Sequence, residues 1–116
     1  MVNVTRMAAL TDAEIETLTW TLLAEARGEG ETGMTIVANV IKNRADEATP
    51  MFPNNPAAVA LQPYQFSAWN PGEGGNMTST RREAPPGSPL YKQAEQIVRG
   101  VFVDGSVPDN TGKALY

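Results

Sequence analysis

The run Leu22-Leu23-Ala24-Glu25-Ala26-Arg27-Gly28-Glu29-Gly30-Glu31 closes an apolar stretch with three carboxylates and two glycines set around one arginine. The chain has no Cys and no His. Thiolate chemistry, His-based nucleophile–base pairs and His-based zinc sites are therefore closed to it, and acid–base work falls to Asp, Glu, Tyr or Lys. No metal and no organic cofactor is expected. At about 100° per residue, Glu25 projects within about 20° of Leu18, at the edge of the apolar stripe and away from the solvent face that carries Glu16. A carboxyl half-buried there has its charged form disfavoured, which suits a group that must hold a proton at neutral pH and give it to a leaving oxygen.

The same position also suits an ion pair between Glu25 and a nearby Arg or Lys, and helix position alone leaves both roles open. Arg27 either orients Glu25 or a substrate group, or complements the negative end of a helix. Glu29 and Glu31 either line the same cleft or cap a following helix; capping fits Glu31 better, and Glu29 stays open. Farther along, Tyr64, Gln65, Ser67, Trp69 and Asn70 offer stacking faces and hydrogen-bonding groups of the kind that hold sugars. Phe66 and Trp69 equally suit a core.

These side chains need elements to position them. Thr11-Asp12-Ala13-Glu14 has the form of a capping box, so a helix is expected over 12–27, with Ile15, Leu18, Leu22 and Ala26 on one stripe and Gly28 as the left-handed residue that ends it. A second helix is expected over 32–44, with Met34, Val37, Ala38, Ile41 and Ala45 on one side. Asn55-Pro56 reads as a cap and first position of a short helix to Leu61, which Pro63 stops. The alternation over 64–67 predicts an extended segment, and 70–86, with Pro71, Gly72, Gly74 and Gly75 at one end and Pro85-Pro86 at the other, predicts a long surface loop. A further helix starts at Ser88-Pro89 and carries Leu90, Ala94, Ile97, Val98 and Val101; Asp104-Gly105 is a turn, and 112–116 begins a strand.

Composition bounds what this assembly can be. At 116 residues, 41% of them hydrophobic and 19% charged, one domain over 1–116 with one modest core is expected, residues 1–10 forming an arm. A net charge of −4 with scattered basic residues argues against nucleic acid as a partner. No segment reaches the roughly 20 apolar residues of a membrane span, and residues 1–10 lack the apolar run of a secretory signal. Synthesis in the cytoplasm and release by another route is the expectation.

Four stretches resemble a known family. Ala24-Glu25-Ala26-Arg27-Gly28-Glu29, followed by Gly33-Met34-Thr35-Ile36-Val37-Ala38-Asn39-Val40-Ile41-Lys42-Asn43-Arg44, is similar to the AEARGE…G…VA.V..NR signature of the spore cortex-lytic (SleB-like) cell-wall hydrolases. Gln65-Phe66-Ser67 is similar to that family's QFS element, and Asp109-Asn110-Thr111-Gly112-Lys113-Ala114-Leu115-Tyr116 to its DPTxGAxxY segment, with Lys113 inserted in the usual Gly-Ala pairing. The resemblance implies a mainly helical α+β domain of lysozyme-like, lytic-transglycosylase-like fold. It implies cleavage of peptidoglycan glycan strands between N-acetylmuramic acid and N-acetylglucosamine, commonly as a lytic transglycosylase. By motif the catalytic glutamate falls on Glu25, with Arg27, Glu29, Tyr64, Gln65, Ser67, Trp69 and Tyr116 as expected substrate contacts.

Action on the bacterial cell wall follows, and by analogy of size a phage or prophage enzyme, released by a lysis or virion route with phage or lysis partners, is expected. A hydrolytic muramidase would need a second carboxylate, Glu29 or Glu31, and is the alternative enzyme reading. A glycan-binding structural component of a phage-like particle is the alternative outside catalysis.

Overall fold

The computed structural model describes residues 10–47, 55–61 and 77–114. Helix α1, Asp12–Ala26, starts at the capping box: the Glu14 amide donates to Thr11 Oγ1 at 3.1 Å and the Thr11 amide to Glu14 Oε1 at 2.9 Å. Its first turn also carries Asp12 and Glu14, which suits the positive end of the helix dipole. The helix is buried far beyond one stripe, since Leu18, Thr19, Trp20, Thr21, Leu22, Leu23 and Ala24 follow one another without an exposed residue. A helix can be covered all round only if neighbours close on every side. Four do: α2 (Gly30–Glu47), α3 (Pro56–Leu61), α4 (Met77–Glu83) and α5 (Pro89–Val98) all pack against α1. Thr19 and Thr21 are tolerated in this interior because their hydroxyls donate to the Ile15 and Thr17 carbonyls at 2.8 and 2.7 Å.

Helices α2, α3 and α5 lie where the chain predicts: α2 is wider than the expected 32–44, α3 has the expected bounds, and α5 ends at Val98, short of the expected Val101. On α2, Met34, Ala38, Ile41 and Ala45 are fully buried on one face. The Asn55 side chain accepts from the Ala58 amide at 3.0 Å to start α3, and its Nδ2 donates to Glu14 Oε2 at 3.1 Å, so the beginnings of α1 and α3 are tied together. Ser88 Oγ accepts from the Tyr91 amide at 3.2 Å to start α5, with Pro89 at the first position. Beyond Val98 the backbone widens into a π-turn over Arg99–Val103.

Three expectations are corrected. The stretch 70–86 is not a loop throughout: Met77–Glu83 is helix α4, free of Gly and Pro, and its Thr80 together with Ala84 is buried. The glycines and prolines around this segment concealed it, and α1 holds it in place. Arg81 lies over the Trp20 ring at 5.3 Å, and that indole meets Tyr91 of α5 edge-on at 5.1 Å. The left-handed residue between α1 and α2 is Gly30, at φ 73°, and not Gly28, which sits inside the 3-10 turn Arg27–Glu29. Residues 112–114 do not begin a strand, because Gly112 and Lys113 are left-handed at φ 68° and 70°. The chain is mainly helical and shows no strand among the described residues; the extended segment expected over 64–67 lies outside them. Among the described residues no helix is long and apolar enough to cross a membrane.

Candidate active site

Glu25 sits in the last turn of α1 and is half-buried, as its angular position relative to Leu18 predicts. The helix ends one residue later because Ala26 leaves helical geometry, at φ −146°, and the chain tightens into the turn Arg27–Glu29. That turn, the end of α1 and the end of α4 line an open cleft of about 360 Å³, bordered by residues 24–29 and by Glu83. Glu25, Arg27 and Glu29 therefore share one cavity. Glu29 is held near the first turn of α2: a Cβ added to Gly33 would stand 2.5 Å from Glu29 Cβ and 2.8 Å from its Oε1, so only glycine lets the two segments approach this closely.

Arg27 is engaged on three sides. Its Nη1 donates to the Leu23 carbonyl at 3.2 Å and to Thr80 Oγ1 at 2.8 Å, and its Nε donates to Glu83 Oε1 at 3.0 Å. The first of these complements the negative end of α1, and the other two fasten α4 to it. The guanidinium keeps the Glu83 carboxyl below its ordinary range, chiefly through the hydrogen bond and then through its charge. Sequence reasoning missed Glu83 because it fell in an expected loop, and no local signal marks it. Glu31 does not join the cleft; it lies in the first turn of α2, where a carboxylate suits the helix dipole, and it borders a separate pocket with Ile97, Val107 and Asn110. Tyr64, Gln65, Ser67, Trp69 and Tyr116 lie outside the described residues. Among the described residues no group of three or more carboxylates could hold a metal ion. What the cleft offers is acid–base chemistry from a half-buried carboxyl beside an ion pair.

A second node unites two of the stretches that carried the resemblance, 33–44 and 109–114. Asn43 Nδ2 reaches Asp109 Oδ2 at 3.2 Å, Thr111 Oγ1 at 3.2 Å and the Ala114 carbonyl at 3.0 Å. Asp109 in turn accepts from the Thr111 amide at 2.7 Å, the Thr111 hydroxyl at 2.6 Å and the Lys113 amide at 3.2 Å. Lys113 keeps its left-handed backbone within this net. The segment passes close to the π-turn, where a Cβ on Gly100 would collide with Val107, whose amide donates to the Gly100 carbonyl at 3.1 Å.

The hydrogen bonds from Thr111 hold the Asp109 acid down, from an ordinary 3.8 to about 2. A depressed carboxyl adds stability above its unfolded value and loses it as the pH falls through its folded one. Asp109→Asn is therefore expected to lower the melting temperature at neutral pH, with the gap to the parent closing as the pH drops from 3.8 to about 2. A gap that stays constant through that window would show that the charge plays no part.

Residues 28–116 match the model of the family described as Cell Wall Hydrolase. The chain is 36% identical over 110 residues to the spore cortex-lytic enzyme of Halalkalibacterium halodurans, an alignment covering 94% of this chain and 28% of that protein. It is 38% identical over 104 residues to the spore cortex-lytic enzyme of Bacillus subtilis, covering 89% of this chain and 28% of that protein. The chain thus spans little more than a quarter of the length of either relative. Glu25 precedes the span of the family match but falls within both pairwise alignments, which leave too few residues outside to omit it. No solved structure matches the chain significantly.

Proposed function

The chain belongs to the cell wall hydrolase family, alongside the SleB-like spore cortex-lytic enzymes, and on that footing we propose that it cleaves the glycan strands of peptidoglycan between N-acetylmuramic acid and N-acetylglucosamine. The observation that carries this reading is the half-buried Glu25 at the mouth of a cleft formed by the end of α1 and the end of α4. Glu25 acts first as a general acid, giving its proton to the glycosidic oxygen while the bond from that oxygen to C1 of the muramyl residue breaks. As a carboxylate it then takes the proton of the C6 hydroxyl, whose oxygen closes on C1 to give a 1,6-anhydro end. No water is consumed and Glu25 returns to its starting state. This route requires that the bound glycan hold the C6 hydroxyl against C1 so that it outcompetes water there. The domain would be of the lysozyme-like, lytic-transglycosylase-like kind, acting at the bacterial cell wall.

A hydrolytic muramidase is the second reading, favoured by the presence of Glu29 and Glu83 in the same cleft, either of which offers a second carboxylate. Mass analysis of digested muropeptides separates the two. Products ending in 1,6-anhydromuramic acid, lighter by one water than reducing ends, are expected. Reducing-end muramic acid as the main product would make the protein a muramidase, and undigested glycan would overturn glycosidic cleavage altogether.

A further inference from the structure

The seam between α1 and α4 carries a second pocket, one turn back along α1 from the cleft. Thr17, Trp20 and Ala24 recur at spacings of three and four and so share one face of α1; the first two line the pocket and the third lines the cleft. On α4, Arg81 borders the pocket and Glu83 the cleft. Trp20 and Ala24 are separated by about 6 Å along the helix axis. The pocket is open to solvent, measures about 580 Å³ and is walled by Glu16, Thr17, Trp20, Arg81 and Pro86. Small-ligand sites fall at about 300–1,000 Å³.

The chemistry of the wall selects the ligand. Trp20 is no platform for a stacked sugar, since it is only 5% exposed, Arg81 lies over its ring at 5.3 Å and Tyr91 meets it edge-on at 5.1 Å. The indole instead steadies the Arg81 guanidinium. Glu16 is exposed on α1, and among the described residues no ion pair joins it to Arg81. The pocket thus presents a carboxylate from one helix and a guanidinium from the other as separate charges. A neutral sugar gives neither of them a counter-ion, and a polyanion would satisfy Arg81 while being repelled by Glu16. A group bearing both an ammonium and a carboxylate satisfies both. We propose that this pocket takes the peptide stem of the glycan strand, with the ammonium of its diamino acid at Glu16 and a carboxylate on Arg81. The proposal rests on the reading of peptidoglycan as the substrate: its stems hang from the muramyl residues, so a strand lying in the cleft carries one alongside the α1–α4 seam.

The test is titration of the full chain with a synthetic stem, N-acetyl-L-alanyl-γ-D-glutamyl-meso-diaminopimelate, followed by the amide signals of Thr17 and Trp20 in proton–nitrogen-15 NMR spectra. Saturable shifts at those amides are expected. Glu16→Gln and Arg81→Gln should each raise Kd by about two- to fivefold, the range of exposed ion pairs. The same peptide acetylated at its remaining amine should bind the parent as weakly as the free-amine peptide binds Glu16→Gln, and should lose nothing more in that variant. Shifts absent from these amides, or a Kd unchanged by Glu16→Gln and by acetylation, overturn the proposal. Arg81→Gln also uncovers the Trp20 ring; should it loosen α4, Glu16→Gln and the acetylated peptide decide the matter, because Glu16 is exposed and its replacement leaves the packing intact. Binding of the peptide needs no turnover. If it binds as expected and intact peptidoglycan stays uncleaved, the stem site stands and glycosidic cleavage fails; if the glycan is cleaved with the same KM whether or not its stems have been removed, cleavage stands and the stem site fails.

Discussion

Glu25→Gln is expected to slow the clearing of a peptidoglycan suspension by about 10²–10⁴-fold, the usual contribution of a positioned general acid–base group. The amide has nearly the volume of the carboxylic acid and fits the same half-buried position, but it has no proton to give a leaving oxygen. Because Glu25 lies at the edge of the packed interior, with Leu22 and Leu23 behind it bearing the packing, the replacement should leave the melting temperature close to that of the parent. Clearing at matched concentration of folded protein is the measurement. Activity within a few-fold of the parent would remove Glu25 from the chemistry. A parallel loss in Glu29→Gln would move weight to the two-carboxylate route, since Glu29 shares the cleft.

The largest effect on stability is expected one turn earlier on the same helix. Leu22 is completely buried, on a helix against which α2, α3, α4 and α5 all pack. Truncation to Ala removes the transfer free energy of the lost methyl groups and leaves a cavity that a helix covered on all sides cannot collapse to fill. The expected cost is about 2–5 kcal/mol, a large part of the roughly 5–15 kcal/mol that holds a small domain folded. Denaturant unfolding of Leu22→Ala should show a lower midpoint with an unchanged slope. A loss below about 1 kcal/mol would mean that the site relaxes freely, contrary to the burial of its neighbours. Together the two variants separate roles along α1: Glu25→Gln loses turnover and keeps the fold, whereas Leu22→Ala loses stability and keeps turnover per folded molecule.

Much of this was legible because the deciding chemistry is local. The capping box at Thr11 and Glu14, the Asn55 and Ser88 caps, and the 34, 38, 41, 45 spacing of α2 each depend on residues within a turn or two of one another, and each appears where the chain predicts. The angular position of Glu25 was equally readable. Helix α4 was not, because its seven residues are flanked by turn formers and its register is set by distant partners, Arg27 and Trp20. Glu83 was lost with it. The contact of Asn43 with Asp109 and Ala114 spans more than sixty residues and has no periodic signature; the resemblance marked both stretches without giving a physical reason for either. The turn at Gly28 and Gly30 shows the limit of local rules: both glycines suit a left-handed position, and only the join to α2 decides which one takes it.

The enclosure of α1 also bears on motion. Amides at the centre of a fully covered helix open only when the domain opens as a whole, while short exposed-edge elements such as α4 open in smaller, cheaper fluctuations. Glu25 is attached to the first kind of element and Glu83 to the second. On the reading of Glu25 as the proton donor, the donor is carried by the more slowly opening element, in its last turn, and Glu83 by the shorter helix that opens more cheaply. Were a glycan strand bound in this cleft, the cheaper adjustment would fall to the α4 side.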